Sequence, residues 1–424
     1  MNIELPMLQN LSSLFVKFFG AFVSYGLTIY ISKYFGNEAL GYFSFFLSYS
    51  LIYTLVMKLG TEMFLMKWVS RFTAEGHGGQ ARYLYIKIIR YHLIAGGIIT
   101  FLGVMFTPII FRHLFPRYTD IQFFQIALTS VFFVNLHAMN YEFIRGKQRA
   151  VAYTFYYTTS IFLFILLIHL IQDVYLDYHY ISLAKSYLIA SVLSCAISFI
   201  HVWILIGKTR SVKVEGMEWG FILRKSFPYF SNNAIYILIG TTDVFILSNY
   251  VAPAAIGEYS VLVKFATFIS FPLIVISGNF APKILHFQTK DRLSKEIARL
   301  TRLIFFGSFL LFISVLLVLP FVMDYLASEI RYGSWIFTMV GIGYLFSACC
   351  AMNEVSLLML GHEKLHQKIM TLALLLNFLL NLLLIPIFGV IGAAATSMLT
   401  LIFWNVLAVY YARKKLNLST SIIF

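Results

Sequence analysis

The residues ISKYFGNEALGYFSF, from Ile31 to Phe45, return as LSNYVAPAAIGEYSV, from Leu247 to Val261, at a constant offset of 216. Ser32 and Ser248, Tyr34 and Tyr250, Ala39 and Ala255, Gly41 and Gly257, and Ser44 and Ser260 are identical. Chance alignment at this biased composition gives on the order of one identity in such a window, and most of the remaining pairs are apolar on both sides. Ala138, Met139 and Asn140 recur as Ala351, Met352 and Asn353, and Pro108 recurs as Pro320 in a similar apolar run. The chain reads as two related halves descended from a duplication.

Around this repeat the chain is too greasy for water. Hydrophobic residues make up 60% of the 424 positions and charged residues only 12%, which exceeds what a soluble core of this size can bury. A bilayer-spanning helix needs about 20 mainly apolar residues, and such runs recur at 11–32, 39–66, 84–111, 122–142, 150–171, 183–206, 227–249, 255–280, 303–327, 334–359, 367–386 and 390–411. Gly60 marks a bend in the long second run or its emergence from the membrane. No stretch is left for a soluble domain. The first run lacks a preceding basic region and a small-residue cleavage site, so it is expected to stay as a membrane helix.

The formal charge of +14 suggests nucleic acid in a soluble protein, but the positive-inside rule explains it without that partner. With a cytoplasmic N-terminus, the Lys and Arg residues gather in the inner segments 67–90, 145–149, 208–225, 283–302, 364–368 and 413–415, leaving Lys33, Arg112, Arg117, Lys185 and Arg331 outside. Both termini are then cytoplasmic. Six spans per half make both halves enter from the same side, as parallel repeats. The expected fold is an all-α integral membrane protein of about twelve transmembrane helices in two parallel-repeat six-helix lobes around a central cavity. Its divisions are an N-terminal lobe (1–206), a cytoplasmic linker (207–225), a C-terminal lobe (226–412) and a cytoplasmic tail (413–424). The basic stretch from Pro282 to Arg302 carries Leu293, Ile297 and Leu300 on one helical face, predicting an amphipathic helix along the cytoplasmic surface. External loops are short, the longest being about ten residues from Gln172 to Ser182.

Ionisable groups inside lipid are costly and point by default to a wet cavity or a partner. On the first helix Ser13, Lys17, Gly20, Ser24 and Thr28 form one small, polar stripe, and Lys17 either faces the cavity or snorkels to the headgroups. On the eighth, Ser260, Lys264, Thr267 and Phe271 form the corresponding stripe, with Lys264 deep enough to favour the cavity. The seventh aligns Asn232, Tyr236, Gly240 and Asp243, while Asn233 stands where Lys17 stands in the first half. Asp243 is a counter-ion for Lys264, a proton or cation site, or one partner of a structural ion pair. Lys58 and Glu62, four residues apart on the second helix, are placed to neutralise each other, with Glu62 the second candidate for ion coupling. Asn377 and Asn381 share a face suited to holding helices together.

Cys195, Cys349 and Cys350 all fall in apolar runs and build no disulfide framework. His362, Glu363 and His366 spell the H-E-x-x-H pattern of zinc proteases, but a third ligand is missing and the first-half counterpart, Gly146 to Arg149, carries no such groups. No metal and no cofactor is expected.

YFGNEALGYFSF at the first hairpin, TDVFILSNYVAPAAIGEYSVLVKFA across the seventh and eighth helices and NFLLNLLLIPIFGVIGAAATS at the last pair resemble, in order and spacing, one branch of a transporter superfamily. This is the polysaccharide transporter branch, the Wzx-type O-antigen flippases, of the multidrug/oligosaccharidyl-lipid/polysaccharide exporter superfamily. The resemblance implies a flippase, not an enzyme, that moves an undecaprenyl-diphosphate-linked oligosaccharide across the bacterial inner membrane. It implies a cationic cavity, which Lys17, Lys58 and Lys264 fit, and a polysaccharide polymerase and chain-length regulator as working partners beside membrane lipid. Two other readings stay open. A multidrug antiporter of the same superfamily needs deep acidic residues, and a membrane enzyme such as a polysaccharide polymerase needs a sizeable external loop.

Overall fold

The computed structural model of the chain describes residues 4–172, 180–281, 284, 287, 289–325, 333–416 and 421. Arg331, Pro282 and most of the loop between Gln172 and Ser182 lie outside them. Two compact units divide it, Met1–Ile237 and Leu238–Phe424.

The first unit holds α1 (Glu4–Lys58), α2 (Thr61–Ala74), α3 (Gly78–Leu114), α4 (Ile121–Gly146), α5 (Ala150–Thr158), α6 (Ser160–Gln172), α7 (Tyr180–Ile206) and the first part of α8 (Trp219–Tyr250). The second holds the rest of α8, then α9 (Pro253–Thr267), a 3-10 turn (Phe268–Ser270), α10 (Phe271–Phe280), α11 (Lys290–Tyr325), α12 (Gly333–Cys349), α13 (Asn353–Met359), α14 (Glu363–Phe388) and α15 (Val390–Leu416). Nine helices among the described residues can cross a membrane, and the bent pairs α5–α6 (55°) and α12–α13 (47°) add one span each. A straight α1 of 55 residues would reach about 80 Å against a hydrocarbon core of about 30 Å. It does not, because Gly36 (φ 86°, ψ 167°) breaks it into two spans. That brings the spans among the described residues to the expected twelve.

The repeat explains where this break falls. At the offset of 216, Gly36 corresponds to Ala252, which is extended (φ −66°, ψ 152°) at the start of α9. Only glycine takes the Gly36 conformation without strain, whereas an alanine serves at 252 because its φ is negative and Pro253 opens the next helix. Burial keeps the same register on both sides of the break. Ile31 and Leu247 are fully buried, as are Ser248 and Ile256, with Ser32 and Leu40 nearly so. Pro108 lies inside α3 and Pro320 inside α11. Ala138, Met139 and Asn140 lie within the unbroken α4, whereas Ala351, Met352 and Asn353 span the bend between α12 and α13, and both triplets are buried.

Two expectations are corrected. The basic amphipathic segment is no separate surface helix from Lys290 onward, because α11 runs unbroken from there to Tyr325. Leu293 and Ile297 find protein instead of headgroups, packing with Met352, Leu357 and Ile369 in the core of the second unit. Lys58 and Glu62 do not share a helix: Leu59 (φ 48°) and Gly60 (φ 76°) are both left-handed and separate α1 from α2.

Side-chain amides tie spans within the second unit. Asn377 donates to Thr400 at 3.2 Å and Asn405 to Ser347 at 2.9 Å, each between two helices, while Asn381 donates to Asn377 at 3.1 Å one turn earlier on the same helix. In lipid such bonds are worth roughly 1 kcal/mol each. Asn405→Leu is therefore expected to lower unfolding stability by about 1 kcal/mol, read by thermal unfolding in detergent. An unchanged melting point would show that this amide does no holding.

Candidate functional site

A cavity of about 550 Å³ opens within the first unit, lined by Lys58, Glu62, Tyr141, Glu142, Arg145, Tyr153, Tyr157, Tyr187, Asn233 and Tyr236 over a floor of Leu and Val side chains. The break at Leu59–Gly60 builds one wall. It turns Lys58 and Glu62 onto different helices, yet leaves both at the cavity. Among the described residues no ion pair within 4.0 Å joins them. Glu62 is 7% exposed, its Oε1 accepts from the Asn233 amide at 3.1 Å, and its Oε2 has no hydrogen-bond partner.

The facing wall comes from α4 and α5. Glu142, 5% exposed, accepts a long 3.4 Å contact from Arg145 one turn later. The Arg145 guanidinium lies 4.8 Å from the Tyr153 ring, a cation–π distance. Tyr153 stacks on Tyr157 at 5.6 Å and 8°, and Tyr141 meets Tyr157 edge-on at 5.5 Å. Gly146 lets α4 end hard against α2, since a Cβ there would sit 2.8 Å from Val69 and 2.9 Å from the Met66 carbonyl. Two carboxylates, two cations and a wall of tyrosines thus share one cavity.

Behind it, buried polar side chains hold the helices in register. His92 bridges Thr61 (2.9 Å) and Asn135 (3.0 Å), and Tyr85 donates to Asn140 (2.7 Å), which donates to Ser198 (2.9 Å), itself 2.8 Å from His137. Each of these pairings lowers the cost of burying its polar atoms, although the Asn135 Oδ1 has no hydrogen-bond partner among the described residues.

The remaining candidates lie elsewhere. Lys17 is exposed on α1, while Gly20 of its stripe turns inward, where a Cβ would meet the hydroxyls of Thr159 and Thr158 at 2.5 and 2.8 Å. Asn232 is exposed, outside the cavity that its neighbour Asn233 lines. In the second unit Lys264 is half-buried in the last turn of α9. Asp243 is buried and accepts the Tyr259 hydroxyl at 2.6 Å and the Val244 N–H at 2.8 Å. His362 precedes α14, and His366 is buried with Nε2 3.9 Å from Glu354. Among the described residues no three His, Cys, Asp or Glu side chains gather as metal ligands.

Sequence reasoning missed Glu142, Arg145 and the tyrosines of α4 and α5. Tyr141/Arg145 and Tyr153/Tyr157 each stand four apart, the spacing of one helical face, and that was the available signal. It was hidden because Glu142 closes a predicted span and Arg145 counts among the inner loop cations.

The apolar spans that recur through both units define a multi-pass membrane protein. No family model and no curated protein sequence matches the chain. Among solved structures it is similar to the lipid II flippase MurJ in an inward closed conformation, with a TM-score of 0.74 and 16% identity over 96% of this chain and 87% of that one. It is equally similar, at TM-score 0.74 and 11% identity, to an inward-facing multidrug resistance MATE family transporter of the MOP superfamily, covering 96% of this chain and 98% of that one. It is also similar to the MATE multidrug transporter DinF-BH, at TM-score 0.65 and 16% identity, with coverage of 97% of this chain and 94% of that one. The property shared with these structures is the fold.

Proposed function

We propose that the chain flips an undecaprenyl-diphosphate-linked oligosaccharide from the cytoplasmic to the periplasmic leaflet of the bacterial inner membrane by alternating access. The observation that carries this reading is the cavity in which Lys58 and Arg145 stand beside Tyr141, Tyr153 and Tyr157. A diphosphate cannot cross hydrocarbon bare and needs cations in the wall of its passage. Sugars need flat rings to stack on and polar groups for their hydroxyls, which the tyrosines, Asn233 and Glu62 supply. Lys17 and Lys264 are further cations for the anionic group, and Asn232 a further polar contact. One of the solved structures that the chain resembles is a lipid II flippase, in keeping with a lipid-linked substrate.

Export of negative charge from a cell interior held negative releases about 2.3 kcal/mol per charge per 100 mV. The membrane potential therefore drives the transfer, alone or with a cation coupled at Asp243 or Glu62. In proteoliposomes, transfer of the lipid-linked oligosaccharide is expected to rise when the source side is made negative. Equal rates at both polarities would remove the potential as the driving force.

A second reading, a cation-coupled multidrug antiporter, is favoured by one observation: Glu62 and Glu142 bring two buried carboxylates into the same cavity. Efflux of a cationic dye from the same vesicles under an ion gradient, with no lipid transfer, would select it and overturn the flippase.

A further inference from the structure

A second hollow, a groove of about 730 Å³, lies on the first unit between α3 and the linker that leads into α8. Lys87, Arg90, Tyr91, Ile94, Ile98 and Trp219 line it. The α3 residues follow one another at three- and four-residue steps, making a stripe that is cationic at one end and apolar at the other. Ile94 and Ile98 are 68% and 55% exposed, and Arg90 is exposed as well. From Arg90 to Ile98 the apolar part runs about 12 Å.

The cationic end is held in place. Lys87 donates to the Met217 carbonyl and lies 5.5 Å from the Trp219 ring, which lies 4.8 Å from the Tyr91 ring. The linker itself is pinned to α3: Val212 N–H donates to Gly79 O at 3.0 Å, and a Cβ on Gly79 would come 2.5 Å from the Arg210 carbonyl. Lys87 keeps two ammonium hydrogens for another acceptor, and Arg90 its whole guanidinium among the described residues. Among the described residues no carboxylate lines the groove.

We infer that this groove seats an anionic phospholipid, its phosphate between Lys87 and Arg90 and an acyl chain along Ile94 and Ile98. Uncompensated cations beside Trp and Tyr, continuing directly into exposed aliphatic side chains, complement an amphiphile with a negative head. The charge bias that puts 67–90 on the cytoplasmic side assigns the lipid to the inner leaflet, where it bridges α3 and the linker between the halves. This site is independent of the transport reading.

The test uses the purified full chain, stripped of lipid and exposed to vesicles of equal phosphatidylglycerol and phosphatidylcholine, with retained lipid counted by mass spectrometry. Wild type is expected to keep phosphatidylglycerol in preference, and inorganic phosphate is expected not to displace it. Arg90→Ala, a change on an exposed side chain, should lower that preference about fivefold, and Arg90→Ala with Lys87→Ala about thirtyfold, from the attraction per cation near an anionic surface. Ile94→Trp, which keeps both cations but fills the apolar end, should also lower retention. Equal retention of the two lipids by wild type, an unchanged preference in Arg90→Ala, or displacement by inorganic phosphate would each overturn the site.

Discussion

Lys58→Ala is expected to leave the protein inserted and folded while cutting transfer of lipid-linked oligosaccharide about thirtyfold, the loss of one charge-assisted hydrogen bond of roughly 2 kcal/mol. Lys58 suits this test because it is half-buried at the cavity and makes no ion pair within 4.0 Å among the described residues. Its removal breaks no direct ion pair among the described residues, although its charge also acts on Glu142 across the cavity. Arg145→Ala is a poorer probe, since it leaves Glu142, 5% exposed, without its cation and so mixes stability with transport. Lys58→Arg should restore part of the rate, because a cation returns in a different shape. Transfer at the wild-type rate in Lys58→Ala would exclude this lysine from the passage. Glu62→Gln then tests coupling at this carboxylate: it keeps the acceptor for Asn233 but removes the charge, so transport coupled to a cation at Glu62 would stall while transfer driven by the potential alone would continue.

Gly60→Ala is expected to be the most damaging single change to the fold of the first unit. Gly60 sits at φ 76°, a region that costs an L side chain roughly 1–2 kcal/mol. Its new Cβ would also lie 2.3 Å from the Ser226 carbonyl oxygen and 2.7 Å from the Phe230 nitrogen, both backbone atoms of α8 that cannot swing away. A destabilisation of about 3 kcal/mol or more follows, read as lost monodisperse yield and a lower melting point in detergent. Gly76→Ala is the matched control. It has the same backbone strain (φ 74°) but nothing within 4 Å, so it should cost only the backbone share. Similar behaviour of the two variants would show that the tight approach of α8 to Gly60 is not what matters.

The close approach at Gly60 also explains why a division drawn at the linker differs from the division into compact units. The linker was expected at 207–225, but the units part at Ile237, inside α8. The first part of α8 is held in the first unit by Ile222, fully buried in its core, by Trp219 against Tyr91 and by Asn233 against Glu62. Composition marks where polar residues interrupt apolar runs. It carries no record of which neighbour a helix packs on.

What could be read from the chain alone was whatever depends on residues close in sequence. Apolar runs of span length and the duplicated hairpin are properties of consecutive side chains, and they emerged in the right order, whereas the left-handed break at Gly36 was seen only in the structure. The cavity was settled only by tertiary structure. An α-helix turns about 100° per residue, so the two left-handed residues Leu59 and Gly60 redirect everything after them, parting Lys58 from Glu62. That rotation, with the packing of α4 against α2, decided that Glu142, Arg145 and the tyrosines of α5 would meet there. No periodicity within a single segment encodes such a meeting.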